Sequence, residues 1–441
     1  MRHVLRLTAA GAALALTATA CGGGGGGGGS EGGGEQTGTA LKGVKIEVAA
    51  KWTGPEQQNF EKVLDAFEKK TGATVTYAST GENTDAFLGP RLEGGNPPDV
   101  AILPQPGLMQ QYAAKDQLKP LNAEVTSAID ANYTPYWKEL GSVDGKPYGL
   151  LVKSAFKSII WYRTDAFDEA GVQPPATFDD MATKTAPTLA DAGITPFTLA
   201  AASADSWTLT DWFENVYLSQ AGPEKYDQLA EHEIPWTDPS VTQAMETLVK
   251  IWGKPENFDG GKAGALKGKF DSSVTDVFAR EKAAMVYGGD FAAANIGTTE
   301  AKVGEGAKTF PFPKAGDTTP AVLGGDVAVA LKDNKGAMEL MKFLATPEAG
   351  TIWAGLGGYL SPNKNLKAEA YPDAQTKQFA QQIQASGDAA RYDMSDLTPA
   401  GFGATPGEGL WEGLRSLVQN PSDIKAVQDR LEADAKNAFK D

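Results

Sequence analysis

Apolar and polar positions change period several times along the chain, and each change marks an element. Val44 to Ala50 alternates well enough for a strand, and Trp52-Thr53-Gly54-Pro55 breaks it. Glu56 to Lys70 then carries Phe60, Val63, Leu64 and Phe67 at helical spacing, and Gly72 closes the helix. Ala73 to Ala78 predicts a second strand. The segment from Phe87 to Gly95 runs into Asn96-Pro97-Pro98, and Asp99 to Leu103 predicts a third strand. Strand, helix, strand, helix, strand is the signature of a parallel sheet covered by helices. Leu118 to Leu121 and Tyr148 to Val152 suggest the chain returning along the edge of this first unit.

Ser158 to Tyr162 predicts another strand, with a helix opening at Thr164. Phe178 to Leu189, the aromatic-rich stretch Trp207 to Leu218, and Asp238 to Trp252 read as helices, and Thr195 to Leu199 as strand-like. Ala283 to Tyr287 is a short apolar run stopped by Gly288-Gly289; Asp290 stands where an N-cap belongs, and Phe291 to Ile296 continues as helix. Two glycines between strand and helix let a ligand approach the backbone, and they set a carboxylate beside an aromatic at a strand's carboxyl end. A buried strand, a tight turn and a cap explain the same residues. Thr309 to Pro313, the strand Val322 to Leu331 with Gly324-Gly325-Asp326, and the helix Gly336 to Leu344 follow. Beyond Gly357 to Pro362 the chain reads mainly as helices. The fold class expected is α/β.

The amino terminus lies outside this pattern. Arg2 and Arg6 precede the small and apolar run Leu7 to Ala20, which is too short to span a bilayer. Cys21, the single cysteine, follows. The stretch resembles a bacterial lipoprotein signal, which implies removal of residues 1–20 and a diacylglycerol on the Cys21 thiol. Ala18 departs from the Leu usual in that pattern. A secretory peptide cut nearby is the alternative. Residues 21–40 then form a glycine-rich leash that cannot bury a core. About 400 residues remain, ample for two domains.

The formal charge of −16 becomes about −18 once Arg2 and Arg6 are removed, and its acids are dispersed. That argues against nucleic acid and against a basic membrane-surface face. No cofactor or metal is expected: no GxxxxGK[ST] or HExxH motif is present, and His232 is the single histidine outside the leader, flanked by Glu231 and Glu233 as a solvated loop residue would be. No GxSxG elbow accompanies it.

The ordered stretches WTGPEQQNF, PPDVAILPQPG, LLVKSAFKSIIWYRTDAF, EKAAMVYGGDFAAANIG, LGGDVAVAL and GGYLSPNK resemble the extracellular solute-binding proteins of carbohydrate ABC importers. The tail, RYDMSDLTP then GLWEGLRSLVQNP, is most similar to the α-glucoside-binding branch. The resemblance implies a type II periplasmic-binding-protein-like fold in which two α/β lobes close over a sugar. Crossings are expected near Val152, Leu323 and Leu360, giving an N-terminal lobe of residues 41–151 and 321–359 and a C-terminal lobe of residues 152–320 and 360–441. It also implies a monomeric receptor on the outer face of the cell membrane, delivering its sugar to permease subunits. A similar receptor for another polyhydroxylated solute, such as a glycosylated polyol, and a secreted carbohydrate-active enzyme built on paired carboxylates remain as alternatives.

A sugar packs its C–H face on aromatic rings and needs directed donors and acceptors for its hydroxyls. The nine tryptophans, several at element ends, suit that chemistry. Trp52 is the expected stacking platform and Glu56 a hydroxyl acceptor, against a staple and a helix-dipole carboxylate. Gln105, held between Pro104 and Pro106, can donate and accept, or sit in a solvated loop. Lys153 meets either ligand or a hinge acid. Trp207 and Asp211 share a helix face with Trp212 beside them, although Trp207 suits a core equally. Asp290 and Phe291 are assigned to the opposite wall, Asp326 to the second crossing as ligand or cap, and Tyr359 and Asn363 to the third. Arg391, Asp393 and Asp396 form a charged cluster, read as an internal salt-bridge network.

Overall fold

The computed structural model describes residues 39–81, 83–385 and 390–440. The leader, Cys21 and the glycine-rich leash lie outside the described residues. Among the described residues, twelve strands follow in chain order: β1 (Lys45–Ala50), β2 (Thr74–Ser79), β3 (Val100–Leu103), β4 (Ser142–Val143), β5 (Lys146–Pro147), β6 (Gly149–Phe156), β7 (Ile159–Arg163), β8 (Phe197–Thr198), β9 (Met285–Tyr287), β10 (Ala307–Pro311), β11 (Val322–Ala330) and β12 (Arg391–Tyr392).

The first sheet grows from the predicted alternation. β1 runs parallel to β2 on one side and to β3 on the other. The helix Gly54–Thr71 connects β1 to β2, with Phe60, Val63, Leu64 and Phe67 buried against the sheet. Gly72 ends it at φ 79°, a left-handed position that glycine adopts without a Cβ clash. Thr84–Glu93 is capped by the Asn83 side chain, which accepts the Ala86 N–H. β11 then adds antiparallel to β3, with β6 antiparallel along its other edge and β12 parallel beside Val322 and Leu323. β4 and β5 make a separate hairpin.

The second sheet runs β10-β7-β9-β8, with β7 antiparallel to both neighbours and β8 parallel to β9. The period of two divides its faces. Trp161 and Val286 enter one hydrophobic core, while Ile160, Met285 and Tyr287 enter another built on the helices Trp207–Ala230 and Pro239–Trp252. The first of those helices outruns the expected end at Leu218. It breaks at Gly222, φ 78°, ahead of Pro223, and then resumes to Ala230.

The steps between sheets differ from expectation. β6 stays in the first sheet through Phe156 and β7 opens the second at Ile159, so the first step is Lys157-Ser158 rather than Val152. The Lys157 N–H donates to Val322 O at 2.9 Å and the Val322 N–H to Ser158 Oγ at 2.7 Å, which binds the first step to the start of β11. Leu360 pairs with Ser154, and Leu366, Tyr371 and Phe379 pack into the first core, so that stretch stays with the first sheet until β12. His232 is held near the Glu432 carboxylate, 3.2 Å away, rather than left in solvent.

Candidate functional site

Parallel strands point their carboxyl ends the same way, and the turns that follow β1 and β3 lie together there. The β1 turn brings Lys51, Trp52 and the first residues of the helix Gly54–Thr71, including Glu56; the β3 turn brings Pro104 and Gln105. Along β6 and just past it, Lys153, Ala155 and Lys157 face the same way, and β11 contributes Gly325 and Asp326. Opposite them stand Asp205, Trp207, Phe270, Asp271, Phe291, Asn295, Asp396 and Trp411. The space they enclose is ≈ 530 Å³, within the ~300–1,000 Å³ usual for small-molecule sites.

Lys153 is the first charged centre. Its ammonium is buried, pairs with Glu56, and lies 5.9 Å from the Trp52 ring and 5.8 Å from each of the Trp353 and Phe291 rings. Burial alone would lower its pKa, but the Glu56 and Asp326 carboxylates outweigh it and hold Lys153 protonated. Asp326 also stands 3.8 Å from Lys51.

Lys157 is the second. Its ammonium pairs with Asp393, lies 3.2 Å from Asp211 and 3.7 Å from Asp396, and covers the Trp207 ring at 5.9 Å. Burial works against its charge, yet these carboxylates raise its pKa well above the ordinary value. Asp393 is held well below the usual carboxylate range despite burial, because Lys157 and the Ser395 hydroxyl favour its ionised form. Asp396 is pushed up to about 8, by burial first and then by the Asp393 charge. Glu214, whose oxygens lie near those of Asp211 and Asp393, is already committed: it accepts the Tyr226 hydroxyl and the Met394 and Ser395 N–H groups.

An aromatic floor joins the two centres. Trp207 lies 5.8 Å from Phe291 and 4.9 Å from Phe270, and Phe270 lies 5.5 Å from Phe291, with planes inclined by 54–56°. Gly288 and Gly289 make room for it: a Cβ on Gly289 would sit 2.5 Å from the Phe291 ring and one on Gly288 3.0 Å from Phe270. The space expected for a ligand beside this backbone is taken by those rings.

Three donors in the lining, Trp52 Nε1, Gln105 Nε2 and Trp411 Nε1, are buried with no hydrogen-bond partner among the described residues. Such donors are costly unless something completes them.

Of the residues singled out in the sequence, Trp52, Glu56, Gln105, Lys153, Trp207, Phe291 and Asp326 line the cleft. Trp52 is 2% exposed and meets Phe60 and Trp353 edge-on, leaving too little open face for a platform. Asp290 caps nothing with its side chain: Oδ1 accepts the Phe156 N–H at 2.7 Å, and burial pushes its pKa up to about 7. Asp211 is buried behind Lys157. Trp212, five residues past Trp207, is turned into the second core among Phe178, Phe197, Trp252, Tyr287 and Phe312. The Tyr359 hydroxyl donates to Val152 O at 2.9 Å, and Asn363 Nδ2 donates to Ala345 O at 3.2 Å; neither lines the cleft. Arg391 leaves its expected cluster for Asp227 at 2.6 Å. Lys157, Asp205, Asp271, Asn295 and Trp411 were not anticipated. For Trp411 the GLW run beside the tail motif was the available signal.

An open α/β fold with a ligand-sized cleft at the ends of parallel strands is the architecture of a solute receptor. The chain belongs to the bacterial extracellular solute-binding protein family, whose pattern matches residues 51–351. It is a binding protein and not an enzyme. It is 31% identical over 384 residues to the osmoprotective compounds-binding protein GgtB of Synechocystis sp., spanning 85% of this chain and 88% of that one. It is 30% identical over 404 residues to the alpha-glucosides-binding periplasmic protein AglE of Rhizobium meliloti, spanning 88% and 87%. Among solved structures, the bacterial solute receptor AcbH superposes with a TM-score of 0.78 at 20% identity, over 90% of this chain and 99% of that one. A chitin oligosaccharide binding protein superposes with 0.77 at 22%, over the same shares. These two likenesses are of fold.

Proposed function

We propose that this chain is the receptor of an ABC importer and that its cargo is a neutral glycoside: an α-glucoside, a small oligosaccharide or a glycosylated polyol. The observation that carries this reading is the lining itself, where tilted aromatic rings adjoin carboxylates and three unpaired N–H donors. Hydroxyls and ring oxygens complete such donors, and C–H faces cover such rings. The names of two relatives support this reading: AglE is an alpha-glucosides-binding protein, and GgtB binds osmoprotective compounds, a class that leaves room for other polyhydroxylated solutes.

The two sheets are read as two lobes, with the steps at Lys157-Ser158 and ahead of Val322 as hinge strands. Ligand binds the closed arrangement better than the open one and shifts that equilibrium, and permease subunits read the closed form. Cys21 carries the lipid that holds the receptor at the outer membrane face, so Cys21→Ser releases the protein into the medium; continued membrane retention contradicts the anchor. The cargo is tested by thermal shift against maltose, trehalose, sucrose, glucosylglycerol and free monosaccharides. A ligand bound by the folded state alone raises Tm with occupancy. A shift with α-glucosides is the expected result, and a flat response across the panel contradicts the reading.

A further inference from the structure

The floor of the cleft carries a second message, which rests on the glycoside reading above. Phe291 belongs to the Lys153 centre, since that ammonium lies 5.8 Å from its ring and pairs with Glu56. Trp207 belongs to the Lys157 centre, with the ammonium 5.9 Å away and Asp396 beside it. Each centre therefore pairs one ring with one pinned lysine and at least one carboxylate. Each also keeps an unpaired donor, Trp52 Nε1 near the first and Trp411 Nε1 on the wall that carries Trp207. The two rings are half-buried and neighbouring, 5.8 Å between centroids, yet inclined by 54°. Phe270, the third ring, is inclined to both by similar angles, so no two rings of the floor are coplanar.

We propose that the cleft reads a bent ligand of two units, one seated on Phe291 beside Glu56 and Lys153, the next on Trp207 beside Lys157 and Asp396. A flat, straight disaccharide, as β-1,4 linkage makes, can lay one ring face on this floor and must lift the other. An α-linked pair bends at the glycosidic oxygen and covers both. A single hexose fills one centre and leaves the donor of the other unpaired.

The test is calorimetric titration of the mature protein with glucose, maltose, trehalose, glucosylglycerol and cellobiose, repeated with Trp207→Leu and Phe291→Leu. The best α-linked ligand is expected to bind at least about tenfold more tightly than glucose or cellobiose. Trp207→Leu brings that ligand down to about the glucose level and leaves glucose within about twofold, whereas Phe291→Leu weakens both. Trp207→Phe, which keeps a ring and the packing against Phe270, gives an intermediate loss and guards against a folding defect. Cellobiose or glucose binding as tightly as every α-linked ligand overturns the two-unit, bent-ligand assignment while leaving a sugar receptor. Equal weakening of glucose and the α-linked ligand by Trp207→Leu overturns it too. Binding of none of these sugars overturns the glycoside reading, and this inference with it.

Discussion

Lys153 and Lys157 stand four residues apart on one stretch of chain, both buried at the cleft, and their surroundings give them different work. Lys153 has one close partner, Glu56, whose side chain is 28% exposed, and otherwise an aromatic enclosure. Lys157 has Asp393, Asp211 and Asp396, drawn from the helix Trp207–Ala230 and from the segment after β12. A lysine with one solvent-reaching partner can exchange it for a ligand hydroxyl at modest cost. One enclosed by three carboxyl groups at the step between sheets is a keystone, because removing it strands the buried Asp393 charge and takes away a shared hydrogen-bond partner. Its free face still borders the cleft, so it positions the floor under Trp207 without giving up its partners.

The comparison breaks first at its strong end. Lys157→Met is expected to cost about 3–5 kcal/mol in denaturant unfolding, since Asp393 and its neighbours lose their cation. A loss within the range of surface substitutions contradicts the keystone role. Trp212→Ala, in the second core, should cost a similar ~3–5 kcal/mol by leaving a cavity, with affinity of the folded fraction unchanged.

These two sites also mark how far sequence can be read. The strand, helix and strand run from Val44 to Leu103 was legible because period and breakers agree, and strand ends followed by Gly or Pro pointed to Trp52, Glu56 and Gln105. Trp207 and Trp212 were indistinguishable by composition. Five residues on a helix turn the side chain well off the first face, so one reached the cleft and the other the core. Tyr359 and Asn363 at the third expected crossing and Asp290 at a strand end have the polarity a ligand contact needs, but each spends it on a backbone group. The Asp393 and Asp396 pair was visible as a charged cluster, but its cation proved to be Lys157, 236 residues away from Asp393, not the adjacent Arg391. A contact of that separation leaves no trace in local pattern.

At the other end of the comparison, Glu56→Gln should weaken α-glucoside binding by about 1–3 kcal/mol while costing less stability than Lys157→Met. Unchanged affinity by calorimetry would remove Glu56 from the ligand's contacts.

Titration separates the two centres further. Asp290, facing Lys153 and Glu56, is raised to about 7, and Asp396, facing Asp393, Lys157, Lys51 and Asp326, to about 8. Both lie above the unfolded value of about 4, so folding takes up protons between those values. Their contribution is full below the unfolded pKa and is lost as pH rises through about 7 and about 8. Tm should therefore fall between about pH 5 and pH 9, and the Asp290→Asn, Asp396→Asn double variant should flatten that slope. A wild-type Tm rising over the same range contradicts it. The smallest effect is expected of Asp290→Ala, about 1–2 kcal/mol in stability from the orphaned Phe156 N–H, with sugar affinity intact.

The most direct measurement is hydrogen exchange of the protein with and without the sugar that gives the largest thermal shift. The account predicts simultaneous protection of the turn around Trp52 to Glu56 on one wall and of the segments around Asp205 to Trp207 and Phe291 to Asn295 on the other. Protection confined to one wall, or centred elsewhere, such as the surface groove near Gln220 and Lys250, would contradict a cleft that closes over its ligand.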